Sequence, residues 1–219
     1  MAATDALDAE RWTRPAPAAA LAEAPPRPDA PRVGARAAFR ADLARWLPAG
    51  TQPSRRQRAA LMTMQPVWAV AEYRFSRWVR TDGPSGLAGT ALRAISFAWH
   101  RTVEILTGIS ISSEAAIGPG LYIGHFGGII VGPGVVMGEG CNIAQGVTIG
   151  VSGHGETLGS PTIGDEVHVM AGAKVFGKIA IGSRTRIGAN AVVAKDLPGG
   201  VVATGVPATD VRPDTTRRG

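Results

Sequence analysis

The sequence predicts a parallel β-helix preceded by a small α-helical segment. Three observations carry this. From Ile111 onward an aliphatic residue recurs every six positions, before residue 110 apolar residues recur every three or four, and the chain holds 29 glycines but only 5% aromatic residues. A core poor in aromatics and rich in glycine has to come from small, regularly repeated side chains.

The repeat runs through Ile111, Ile117, Ile123, Val131, Met137, Ile143, Ile149, Ile163, Val169, Val175, Ile181, Ile187 and Val193. Four positions after each lies a second inward candidate, such as Leu121, Val135, Cys141, Val147, Ala173 or Leu197. Period six fits neither an amphipathic helix nor a long strand. It fits a coil with flat sides, in which each hexapeptide forms one side and turns one corner. The small residue beside each aliphatic lets the backbone turn without a Cβ clash, and stacked coils bury each other's faces. The phase breaks twice, by two residues around 126–130 and by a loop between Gly150 and Ile163.

Before the repeats, AAFRADLARWL, RRQRAALMTM with VWAVAEYRFSRWVR, and LAGTALRAISFAWHRTVEIL have helical period, broken at Pro48, Pro53, Pro66 and the Asp82-Gly83-Pro84 turn. Residues 1–34, rich in Ala, Pro and charge, cannot bury enough apolar area to offset their ordering entropy and are expected to be a disordered tail. The expected organisation is thus a tail over 1–34, helices over 35–109, the β-helix over 110–199 and a C-terminal tail over 200–219.

The net charge of +6 lies wholly in the first half: residues 1–109 hold 15 Arg against 9 acids, while 110–219 hold 8 basic and 8 acidic residues. No nucleic-acid-binding motif accompanies the surplus, so it reads as a solvated helical face rather than a nucleic-acid partner. One cysteine, Cys141, excludes a disulfide framework and a Cys metal cluster and fits a reducing cytoplasm. Its inward position marks a small core residue. The N-terminus lacks the layout of a signal peptide, and no run of 18 apolar residues predicts a transmembrane segment.

Several strings give the repeats a resemblance: LTGIS at 106–110, IGHFGGIIV at 123–131, QGVTIG at 145–150, SPTIGD at 160–165, AGAKVFG at 171–177, IGANAVVAKDLP at 187–198 and GVPA at 205–208. They resemble the hexapeptide-repeat acyltransferase family, within it the serine O-acetyltransferases and the O-acetyltransferases of polysaccharide gene clusters. The resemblance covers about residues 70–209. It implies a left-handed coil, a homotrimer or dimer of trimers, an active site between subunits, acetyl-CoA as co-substrate and no metal.

The resemblance also places the catalytic base at His125, at the first break of the repeat. An acceptor hydroxyl needs a base whose pKa lies near operating pH, which histidine supplies. Cofactor contacts are implied at Gly150, Ala171, Gly172, Ala189 and Lys195, with Lys174, Arg184 and Arg186 as further cations for phosphate. Acceptor contacts are implied at Ser110, Gly124, His154 and Ser160. His100 reads as structural and His168 as a solvated corner. The four histidines form no spaced metal-ligand set.

The chain departs from the serine acetyltransferase pattern at three places. Ser110 and Gly124 stand where aspartates are expected, and Gly159-Ser160-Pro161 stands where Arg-His-Pro is expected. An amino-acid zwitterion needs paired charges to offset its desolvation, so these departures point to a neutral acceptor such as a sugar or glycan hydroxyl beside L-serine. Glu114 is the candidate to orient His125 in place of the missing aspartate. The competing class is a non-catalytic β-helix scaffold, which would have no need for the Gly-His-Phe-Gly-Gly break.

Overall fold

The structure, a computed structural model, describes residues 33–47 and 54–213. The tail expected over 1–34 therefore falls outside the described residues except for its last two. Among the described residues four helices come first: α1 (Ala35–Ala44), α2 (Arg55–Met62), α3 (Gln65–Thr81) and α4 (Gly86–Thr107). Local chemistry sets their ends. Ser54 and Gln57 form a capping box at the start of α2, Pro66 occupies the first turn of α3, and Gly108 closes α4 in the left-handed region, its N–H on Glu104 O at 2.9 Å. Among the described residues, no helix is long and apolar enough to cross a membrane.

From Ile109 the chain winds into a left-handed parallel β-helix of about five turns. Sheet A stacks β1 (Ile109–Ile111), β4 (Ile129–Val131), β7 (Thr148–Gly150), β10 (Lys174–Phe176) and β13 (Val192–Val193). Sheet B stacks β2 (Ala116–Ile117), β5 (Val136–Met137), β8 (Thr162–Ile163) and β11 (Ala180–Ile181). Sheet C stacks β3 (Tyr122–Ile123), β6 (Asn142–Ile143), β9 (His168–Val169), β12 (Arg186–Ile187) and β14 (Val201–Thr204) in parallel. The stretch expected as a plain C-terminal tail contains more than that: β14 joins sheet C and β15 (Thr209–Pro213) folds back antiparallel on it.

All thirteen repeat aliphatics are buried, none more than 6% exposed. Of the second inward set only Ile179 is less than fully buried. Register explains this: Ile111 lies over Val131, Val131 over Ile149, Ile149 over Val175 and Val175 over Val193. Each buried aliphatic contributes about 1.5–3 kcal/mol, and stacking like on like makes the column continuous. Cys141 belongs to it. Its thiol is buried, bonded to Gly164 O at 3.2 Å and pushed up to about 12 by desolvation, so it is no nucleophile.

The first coil has no coil beneath it, and the helices supply what is missing. The Tyr73 hydroxyl donates to Ala115 O and accepts from Ile117 N–H, both at 3.0 Å. Arg74 donates to Ile117 O and Gly118 O at 2.7 Å, and Asp42 accepts the Leu121 N–H at 2.8 Å. Side chains of α1 and α3 thus close the open strand edges that would otherwise invite another chain.

Candidate active site

The candidate site is the corner between sheets C and A. In successive coils it is formed by residues 124–128, 144–146, 170–172 and 188–190. One backbone position repeats there in the left-handed region: Gly108 (φ +64°), Gly128 (+66°), Gly146 (+72°), Gly172 (+75°) and Asn190 (+57°). Each stands three residues before an aliphatic of sheet A. The column is tight. A Cβ on Gly128 would lie 3.4 Å from Gly146 Cα, and one on Gly172 only 2.0 Å from Asn190 Oδ1.

His125 stands on this corner. The last ladder bond before it is Gly124 N–H to Ile143 O at 3.3 Å, and the next is Gly146 N–H to Gly127 O at 2.9 Å. Between them the first coil carries two residues more than an 18-residue turn and bows outward, leaving His125 and Phe126 exposed. Gly124 is not demanded by packing, because a Cβ there would meet only Tyr122 Cε1, at an ordinary 3.5 Å.

The structure divides the other expected residues between two edges of sheet A. Ala171, Gly172 and Ala189 lie on the His125 corner, one coil above another. Gly150, Lys195, Ser160 and the loop that bears His154 lie at the edge between sheets A and B. Ser110 lies between, at the centre of β1 with Ile130 as its register partner. Lys174, in the same outward row, is already engaged: Nζ donates to Gly146 O at 2.6 Å and to Thr148 Oγ1 at 3.0 Å. The Ser160 hydroxyl is likewise used, donating to Pro133 O at 2.7 Å and pinning the loop to the second coil. That loop closes on itself through Ser152 and Gly159, paired N–H to O both ways at 3.1 Å, and holds His154 exposed beside a 3₁₀ turn, Gly155–Thr157.

Two expectations are corrected. Glu114 is not beside His125. It sits past β1 at the edge between sheets A and B, bound to Arg80 Nη1 at 3.0 Å. The width of a three-residue strand, roughly 10 Å at ~3.3 Å per residue, separates that edge from the His125 corner. Eleven residues are less than one full coil, so Glu114 and His125 fall on different corners of the same turn. His168 is not on a corner either. It lies in β9, half-buried, within 3.4 Å of Asn142 Nδ2.

Among the described residues no group of three or more His, Cys, Asp or Glu could hold a metal ion. The corner therefore offers one imidazole beside a column of small residues, an arrangement suited to acid–base chemistry on a long, thin ligand. The comparisons with known proteins give the class, the hexapeptide-repeat transferases. No family model matches the chain. The serine acetyltransferase of Mycobacterium tuberculosis is 40% identical over 141 residues, 64% of this chain and 58% of that protein. The serine acetyltransferase of Helicobacter pylori strain J99 is 42% identical over 120 residues, 55% of this chain and 70% of that protein. Among solved structures, serine acetyltransferase in complex with coenzyme A from Brucella abortus superposes with a TM-score of 0.67 at 25% identity, over 80% of this chain and 67% of that one. The chain belongs to the serine acetyltransferase family, although it spans little more than half the length of its mycobacterial relative.

Proposed function

We propose that the protein transfers the acetyl group of acetyl-CoA to the hydroxyl of L-serine, with His125 as the general base. One observation carries the reading: His125 is exposed on a two-residue bow of the coil, at the foot of a corner that includes Gly146, Ala171, Gly172 and Ala189. A pantetheine arm would lie along Gly146, Ala171, Gly172 and Ala189, the small residues of that corner. His125 takes the proton of the acceptor hydroxyl, whose oxygen attacks the thioester carbonyl. As the tetrahedral intermediate collapses, the C–S bond breaks and the imidazolium returns the proton to the leaving thiolate. Backbone N–H groups of the corner are the available donors for the oxyanion. Lys195, half-buried past β13, is the candidate to meet phosphate charge.

The names of the relatives support serine as acceptor; a sugar acceptor finds no support among them. Phe126, Ile130 and Met170, each about half exposed around the corner, support burial of this face against a second copy, as a trimer would require. The test is thiol release from acetyl-CoA with L-serine and, separately, a panel of sugars, using the wild type and His125→Ala. Serine-dependent release that falls by about 10²–10⁴-fold in the variant supports the reading. Release with sugars alone overturns serine as acceptor, and unchanged turnover in the variant overturns the role of His125.

A further inference from the structure

A second feature lies apart from the His125 corner. Between α3, α4 and the first two coils opens a cleft of about 770 Å³, lined among others by Arg80, Arg93, Ser96, His100, Ser110 and Ser113. His125 is not among its lining residues. The volume is that of a pocket for a small organic molecule rather than a bare ion.

The polar chemistry of the cleft is one-sided. No aspartate or glutamate lines it. The two carboxylates behind it are already matched: Glu114 holds Arg80, and Glu72, only 2% exposed, holds His100 Nδ1 at 3.1 Å. Arg93 has no carboxylate partner among the described residues. Glu72 is itself fixed, because Ser76 Oγ donates to its other oxygen and Ser96 Oγ donates to Ser76 Oγ at 2.6 Å. The His100 ring is therefore clamped through Nδ1, and no bond to Nε2 is among those the described residues make. A buried carboxylate that orients an imidazole at the wall of an open cleft is more than a helix-to-helix tie needs. It fixes a cationic donor in place ahead of a ligand.

We propose that this cleft binds a small organic molecule through an oxyanion, a carboxylate or a phosphate group, held by Arg93 and His100 with the hydroxyls of Ser110 and Ser113 as further donors. Arg93 and His100 stand at the helix side of sheet A and belong to the cleft alone, whereas Ser110 and Ile130 are shared with the face proposed for acetyl transfer. The charged groups around His100 are Glu72 on α3, Glu104 and Arg101 on α4, and the cleft's Arg80 and Arg93. The Glu72 bond raises the His100 pKa above its ordinary value and keeps the ring cationic to higher pH.

The test is calorimetric titration of the full chain at constant ionic strength with two probes. Sulfate, whose charge is constant from pH 6 to 8, stands for a phosphate group, and acetate stands for a carboxylate. Saturable binding of either probe is expected, weakened at least tenfold in Arg93→Ala, whose exposed side chain can be removed without loss of fold. Binding is expected to be tighter at pH 6 than at pH 8, with that difference gone in His100→Gln. Preference for sulfate assigns a phosphorylated ligand and preference for acetate a carboxylate ligand. The proposal is overturned if neither probe saturates, if Arg93→Ala binds as the wild type does, or if His125→Ala loses binding, which would place the probe at the other site.

Discussion

Arg74 Nε lies 2.7 Å from Asp42 Oδ2, and its Nη2 lies 3.0 Å from Oδ1, with both side chains buried. The pair joins α3 to α1 while each partner also bonds the backbone of the first coil. Removing one partner leaves a buried charge uncompensated. Asp42→Ala is expected to destabilise the protein by about 3–5 kcal/mol. Glu114→Ala, which breaks an exposed pair with Arg80, is expected to cost about 0–1 kcal/mol. Urea denaturation of the two variants in parallel measures the difference.

The left-handed corner column makes a second prediction. At Gly172 a Cβ is opposed twice, by φ of +75° and by Asn190 Oδ1 at 2.0 Å. Gly172→Ala is expected to lose about 1–3 kcal/mol. Gly150→Ala, where a Cβ meets nothing within 4 Å, is expected to stay within about 0.5 kcal/mol of the wild type. Thermal unfolding of both variants distinguishes them.

Gly124 invites a gain of function. Its surroundings accept a side chain, and the position directly precedes His125. A carboxylate there gives the serine ammonium an opposite charge. Gly124→Asp is expected to raise kcat/KM for L-serine about tenfold, equivalent to ~1.4 kcal/mol, without lowering the unfolding temperature. Steady-state kinetics with serine as the varied substrate give the answer, and an unchanged kcat/KM would show that the acceptor's ammonium is bound elsewhere.

The Glu72–His100 bond should be visible in stability against pH. The folded-state pKa of His100 is raised, chiefly by the hydrogen bond its ring donates to Glu72. A raised histidine pKa contributes stability that is fully present below the unfolded value of about 6.5 and is lost as pH rises through the folded value. The stability difference between the wild type and His100→Gln is therefore expected to be largest below about pH 6 and to shrink towards pH 9. Denaturant midpoints collected across that range check it. A difference that grows with pH would contradict the assignment of the bond.

The thirteen aliphatics could be read as a core because their spacing is set by the coil itself: a side of fixed length has one inward place for a branched side chain, and glycine turns the corner. The two breaks in phase marked the bow that carries His125 and the loop that carries His154. The left-handed residue three positions before each sheet A aliphatic came only from the structure, with Asn190 standing among glycines there.

The spacing did not show which side of the coil Glu114 would face, and in space it is bound to Arg80 at another corner than His125. Nor could the sequence say which donors are spent. Lys174 and Ser160 look available along the chain and are held by Gly146 O and Pro133 O in space. The sequence by itself determined the β-helix, its helical preface and the break on which His125 sits, because all three follow from local period and its interruptions, while the choice of His125 among the histidines came from the family resemblance. Only the tertiary structure decided how α1 and α3 close the first coil, and that Glu72 and His100 meet across two helices beside an open cleft. Those contacts join residues far apart in the chain, and no spacing within either segment encodes which partner will face it.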